Sequence, residues 1–180
     1  MRGNFIIARH TTTDWNIEGR IQGQTDTELN EVGKKEALAL AEKLLPLSIS
    51  KIVSSDLKRA FQTAQIINQK LNVPLILDRR LRECSFGSLE GLNRSGAFSK
   101  YGPEIIRDWE DQYLNYDFLR FGGETREIVL QRHQEVIRSY FSEGATLIVG
   151  HGRGLNTLLY QLGIEPNLKR GSYKLIENLK

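Results

Sequence analysis

A chain of 180 residues is long enough to bury one core, and no Pro/Gly/Ser-rich stretch or single-sign charge run marks a join, so residues 1–180 are expected to form one domain. Hydrophobic residues at 39%, charged residues at 26% with both signs interspersed, and a net charge of +3 exclude a disordered chain and leave no basic tract for nucleic acid. Apolar runs of four or five residues fall far short of the ~20 that span a bilayer, the start lacks the apolar core of a secretory signal, and the single cysteine, Cys84, excludes an intrachain disulfide; a cytoplasmic location and no membrane partner are expected.

Strands are predicted at residues 5–8, 52–54, 75–77, 146–149 and 173–176, several of them apolar without polar alternation, as in parallel strands buried on both faces. Between them, residues 30–45 place Ala37, Leu38, Ala41, Leu44 and Leu45 at helical spacing before Pro46, and residues 56–71 do the same with Ala60, Ala64, Ile67 and Leu71. A third helix is expected after a Thr125 cap, and a fourth after Gly154. The alternation predicts an α/β fold: a three-layer sandwich with a mostly parallel central sheet, helices on both faces and a small helical insertion. That insertion, residues 91–123, holds seven of the fifteen aromatics: Phe98, Tyr101, Trp109, Tyr113, Tyr116, Phe118 and Phe121. Beyond the carboxyl ends of the strands it would act as a lid, with at least half of these rings packed on the sheet.

Three segments that end or follow strands are rich in groups that handle anions: residues 9–16, 54–60 and 150–154. The first and third place His10 and His151 directly after a strand, and the second places Arg59 in the first turn of a helix. Two histidines and two arginines, Arg9 and Arg59, would then surround one phosphate, whose oxygens match the guanidinium fork. An imidazole attacks phosphorus when unprotonated and held by a hydrogen bond at its other nitrogen, and a separate acid must protonate the leaving oxygen. Arg153, next to Gly152, would reach a further anionic group or serve at the surface. His133, in a helix without a motif around it, is read as a surface or packing residue, and Cys84 as buried and inert. Neither a P-loop nor a dinucleotide-binding turn is present in full.

The ordered set Arg9, His10, Thr13 and Asn16, then Gln22 and Gly23 followed by Asp26 and Leu29, then residues 54–64, 81–91, 121–125 and 149–152, resembles the histidine phosphatase superfamily, also called the phosphoglycerate mutase-like family. The resemblance covers most of the chain in the family's order. It implies His10 as nucleophile, a phosphohistidine intermediate, and Glu83 as the acid/base carboxylate. Arg9, Arg59 and His151 would bind the phosphoryl oxygens, assisted by Thr13, Asn16, Gln22, Gly23 and Gly152. No metal or organic cofactor is implied, and the ligand would be a small phosphorylated substrate or inorganic phosphate. Two positions depart from the pattern: Thr11 stands where the family has glycine and is expected to narrow the pocket or restrict the backbone, and Gly150 replaces a small hydroxyl residue before His151. A phosphomonoesterase is the first reading; a phosphoglycerate mutase, and a weakly active relative that binds a phosphorylated ligand or a protein, are the alternatives.

Overall fold

A computed structural model describes residues 3–102, 105, 110–141 and 144–179. Five strands, β1 (Gly3–Arg9), β2 (Ile49–Ser54), β3 (Leu75–Leu77), β4 (Ala145–Gly150) and β5 (Tyr173–Leu179), form one sheet in the order β3-β2-β4-β1-β5. All neighbours pair parallel except β5, which runs antiparallel to β1 at the edge. Helices bounded by described residues are α1 (Asp14–Ile17), α2 (Glu31–Leu44), α3 (Lys58–Leu71), α4 (Arg94–Tyr101), α5 (Arg126–Tyr140) and α6 (Gly152–Gln161). The α/β sandwich expected from the sequence is therefore present.

The apolar strands bury both faces because alternate residues face opposite layers. In β1, Ile6 and Ala8 join Ile52, Leu147 and Val149 under α2 and α3, where Leu40, Ala41, Leu44, Ala60, Ala64 and Ile67 close that layer. Phe5 and Ile7 join Val53 and Ile148 on the other face, against Val136 of α5 and Leu155, Leu158 and Leu159 of α6. After β1 the chain thus turns to one face and after the adjacent β4 to the other, which opens a crevice between the carboxyl ends of these two strands.

Two helix starts differ from the periodicity, each for a local reason. Helix α3 begins at Lys58 instead of residue 56, because Leu57 is extended (φ −65°, ψ 132°) and the Lys58 amide is capped from outside by Asp26 Oδ1 at 2.7 Å. Helix α6 begins at Gly152, ahead of Gly154, because a carboxylate from another segment receives its first-turn amides.

Among its described residues the insertion includes α4, whose cap Asn93 accepts the Gly96 amide, and a short 3₁₀ turn at Leu119–Phe121. Tyr116, Phe118 and Phe121 are buried, yet not on the sheet as expected. They form a third core with Ile21, Cys84, Phe86, Leu89, Ala97, Ile105 and Val129. The expected packing on the sheet is corrected because the segment around residues 83–91 lies beneath the rings; Phe86 meets Phe118 edge-on with centroids 4.9 Å apart. Phe98 is exposed, and Trp109 lies outside the described residues.

Candidate active site

Pairing of Arg9 with Gly150 brings the ends of β1 and β4 level, so His10 and His151 follow side by side, their ring centroids 5.2 Å apart. The His10 amide donates to Gly150 O at 2.9 Å, and the Ser55 amide at the end of β2 donates to Val149 O at 2.9 Å. The three segments rich in anion-handling groups therefore converge on one crevice.

The His10 ring is 3% exposed, and its Nδ1 lies 2.7 Å from Thr11 O. A carbonyl only accepts, so in the neutral ring Nδ1 carries the proton and Nε2 keeps a bare lone pair. Burial, then the positive charges of Arg59 and Arg9, hold the His10 pKa well below 6.5, which favours that neutral form. Burial likewise depresses His151, whose Nε2 lies 2.8 Å from Ser55 Oγ.

Arg59 is 1% exposed and donates from one terminal nitrogen to Thr25 O at 2.9 Å and from the other to Gly23 O at 2.6 Å. Burial lowers its pKa to about 10, so it stays a cation at neutral pH. Arg9 lies over the start of α6, where a Cβ on Gly152 would stand 2.6 Å from Arg9 Cζ; only glycine leaves the guanidinium its place. Among the described residues, the buried side-chain polar atoms without a hydrogen-bond partner are Arg9 Nε, Arg59 Nε, His151 Nδ1 and His133 Nε2. The first three belong to this crevice. Buried polar atoms left unmatched are costly, and an oxyanion held between Arg9, Arg59 and His151 would satisfy the two arginine donors, and His151 Nδ1 in the tautomer that carries its proton there.

Glu83, 8% exposed, lines the same cavity. Its carboxylate accepts the amides of Cys84 (2.9 Å), Gly154 (3.0 Å) and Arg153 (3.1 Å). These use three of roughly four lone-pair sites of a carboxylate and leave one toward the cavity. The cavity, of about 150 Å³, is also lined by Asn16, Gln22, Gly23 and Arg153. Gln22 is oriented by the Thr13 and Thr27 hydroxyls, both of which donate to its Oε1. Asn16 Oδ1 accepts the Thr13 amide at 3.1 Å while Thr13 Oγ1 accepts the Asn16 amide at 3.2 Å. Thr13 is thus spent on capping α1 and holding Gln22, and is not among the lining residues.

Thr11 does not narrow the cavity. Its Oγ1 lies 3.2 Å from Thr63 Oγ1 on α3 and its amide donates to the same hydroxyl, so the side chain points into the helix layer. Its φ is not among the positive values, so the backbone carries no strain there. His133 is fully buried against Gly154, which removes the surface alternative; burial pushes its pKa down to about 3. Arg153 is 4% exposed and not at the surface, stacked 4.6 Å from the Tyr116 ring and 5.2 Å from Phe118. Cys84 is buried, and burial raises its thiol pKa.

The sequence matches the histidine phosphatase superfamily, branch 1, over residues 5–176. The chain belongs to this superfamily. It is 40% identical over 130 residues to phosphoglycerate mutase-like protein 4 of Arabidopsis thaliana, covering 71% of this chain and 56% of that protein. A probable phosphoglycerate mutase of Cronobacter sakazakii is 46% identical over 158 residues, 85% of this chain and 71% of the relative. The fold is similar to a mycobacterial glucosyl-3-phosphoglycerate phosphatase solved with VO3, at TM-score 0.83 and 29% identity over 96% of this chain and 91% of that one.

Residues that carried no assigned role in the sequence also build this cavity and its surroundings. Arg20, Ile21, Phe86 and Gln112 line the cavity. Glu90 accepts the amides of Gln24, Thr25 and Phe86 and so fixes the loop beside Gly23. Arg132 of α5 pairs with Glu124 at 2.8 Å and donates to the carbonyls of Arg80, Arg82 and Glu83, which braces the backbone that carries Glu83. Glu90 falls inside the 81–91 segment that resembles the family, but Arg132 reads as an ordinary helix charge because its carbonyl acceptors lie 49 to 52 residues away.

Proposed function

We propose that this histidine phosphatase is a phosphomonoesterase that hydrolyses a small phosphorylated metabolite through a phosphohistidine on His10. The observation that supports it best is the bare Nε2 of a neutral His10 beside the unmatched Nε donors of Arg9 and Arg59 and the unmatched Nδ1 of His151. In this reading Arg9, Arg59 and His151 hold the phosphoryl oxygens, with Asn16, Gln22, Gly23, Gly152 and Arg153 completing the walls. The His10 Nε2 lone pair forms a bond to phosphorus as the ester P–O bond breaks. Glu83 gives its proton to the leaving oxygen. Water then attacks phosphorus, the P–N bond breaks, Glu83 takes a proton from the water, and phosphate leaves. Fixed cations around the equatorial oxygens lower the barrier because they need no reorganisation as charge shifts.

Mass spectrometry of protein quenched in alkaline denaturant, which preserves the P–N bond, during turnover of p-nitrophenyl phosphate tests this, with phosphate expected on His10 and no turnover by His10→Ala. Label on Ser54, Thr13 or Cys84 would overturn the mechanism. The mutase names of the two curated relatives favour a second reading, in which the same phosphoenzyme is kept from water and returns its phosphoryl group to an alcohol. Conversion of 3-phosphoglycerate to 2-phosphoglycerate faster than phosphate release would establish it.

A further inference from the structure

A second cleft, of about 300 Å³, is lined by Arg9, Thr12, Glu36, Lys169 and Arg170. Arg9 is a wall of both this cleft and the cavity that holds His10. The turn bearing Lys169 and Arg170 is built onto Arg9 at both ends: Arg9 Nη1 donates to Leu168 O at 3.3 Å, and the Arg9 amide donates to Ser172 O at 3.1 Å. Within the turn the Ser172 amide and hydroxyl both donate to Lys169 O, Gly171 takes φ +61°, and the Leu168 amide is anchored to Asn156 Oδ1 of α6 at 2.9 Å. Such a turn presents its two exposed cations at a set position. Among the described residues the acid lining the cleft is Glu36, which accepts the Thr12 amide at 3.0 Å, and this offsets part of its charge. The Arg170 charge is felt at both Arg9 and His10, so the turn stands within electrostatic reach of the reacting centre.

We infer that the Lys169–Arg170 turn is a second anion subsite, and that the substrate carries a carboxylate or a second phosphate beside the phosphoester. Arg9 would bridge the two anions. This rests on the phosphoesterase reading and narrows it from any phosphate ester to doubly anionic ones. Three cations on a rigid frame hold a second anion by charge-assisted hydrogen bonds, whereas a neutral tail gains nothing there.

The test compares matched esters: 3-phosphoglycerate against glycerol 3-phosphate for the carboxylate, and fructose 1,6-bisphosphate against fructose 6-phosphate for the phosphate. Lys169→Gln, Arg170→Gln and the double variant are assayed beside the wild type. For the favoured doubly anionic ester the double variant is expected to lose roughly ten- to a hundredfold in kcat/KM, mostly in KM, while the matched ester and p-nitrophenyl phosphate lose less than about threefold. Whichever pair shows the loss names the second anion. Equal losses across all esters that vanish at high salt would reduce the turn to a general field and overturn the subsite, as would no loss on any. Should the wild type turn over none of these esters, the phosphoesterase reading fails by itself. Calorimetric binding of the same pairs then decides the subsite, and equal affinity within each pair overturns it.

Discussion

Gly152→Ala separates the phosphate-holding role of Arg9 from the stability of the fold. A Cβ at this position would stand 2.6 Å from Arg9 Cζ and 2.8 Å from one terminal nitrogen, well inside ordinary contact. The helix start cannot yield, because the Arg153 and Gly154 amides are tied to Glu83, so the guanidinium must move by about 1 Å. That displacement weakens the bond to Leu168 O and takes Arg9 Nε off its position in the crevice. Misplacement on this scale costs up to about 10²-fold, and losing one charge-assisted hydrogen bond costs about 1.5–3 kcal/mol, so kcat/KM is expected to fall roughly ten- to a hundredfold. Stability should change by less than about 1 kcal/mol, since alanine suits a helix and the Gly152 φ is not positive. Steady-state kinetics with p-nitrophenyl phosphate, beside urea unfolding, reads both. A variant that keeps kcat/KM within twofold while folding normally would refute the placement of Arg9 as a phosphoryl ligand.

Acid should unfold the protein through its buried imidazoles. His10, His133 and His151 have folded-state pKa values below the unfolded 6.5, that of His133 near 3, so the unfolded chain binds more protons once the pH falls through 6.5. Their contribution is complete above pH 6.5 and is lost as the pH drops toward the folded values. The slope approaches about 1.4 kcal/mol per pH unit for each ring, measured by urea unfolding between pH 7 and 5; His133→Gln should remove one such share, and an unchanged slope would count against its burial in the neutral form. Arg132→Met is expected to cost about 2–4 kcal/mol by breaking a nearly buried pair with Glu124, and to lower kcat more than it raises KM because the Glu83 backbone loses its brace. A thermal midpoint within 2 °C of wild type would contradict this. Thr11→Gly should change kcat/KM by less than about threefold and destabilise by about 1–2 kcal/mol through loss of the Thr63 contact; a tenfold gain in activity would mean that the side chain does obstruct the cavity.

Strands, helices and the layer order followed from the chain alone, because burial on both sides imposes continuous apolar runs on β1, β2 and β4 and a one-sided stripe on α2 and α3. The site was legible to the extent that it is written in contiguous segments: His10, Arg59, Glu83 and His151 each sit in a local motif, and those of His10, Arg59 and His151 follow the strands β1, β2 and β4 that the fold must align. What the tertiary structure alone decided are the directions of side chains and the partners that lie far away in sequence. Thr11 beside the nucleophile turns toward Thr63 and away from the cavity, a matter of packing against α3 that no local pattern encodes. Arg132 holds carbonyls around Glu83 from another helix, Glu90 ties down the loop at Gly23, and the Lys169–Arg170 turn stands beside Arg9 only because Arg9 bonds both of its ends. Local periodicity fixes which residues are buried, since burial repeats with the backbone; a hydrogen bond or a charge contact across the chain has no period, so only the folded arrangement reveals it.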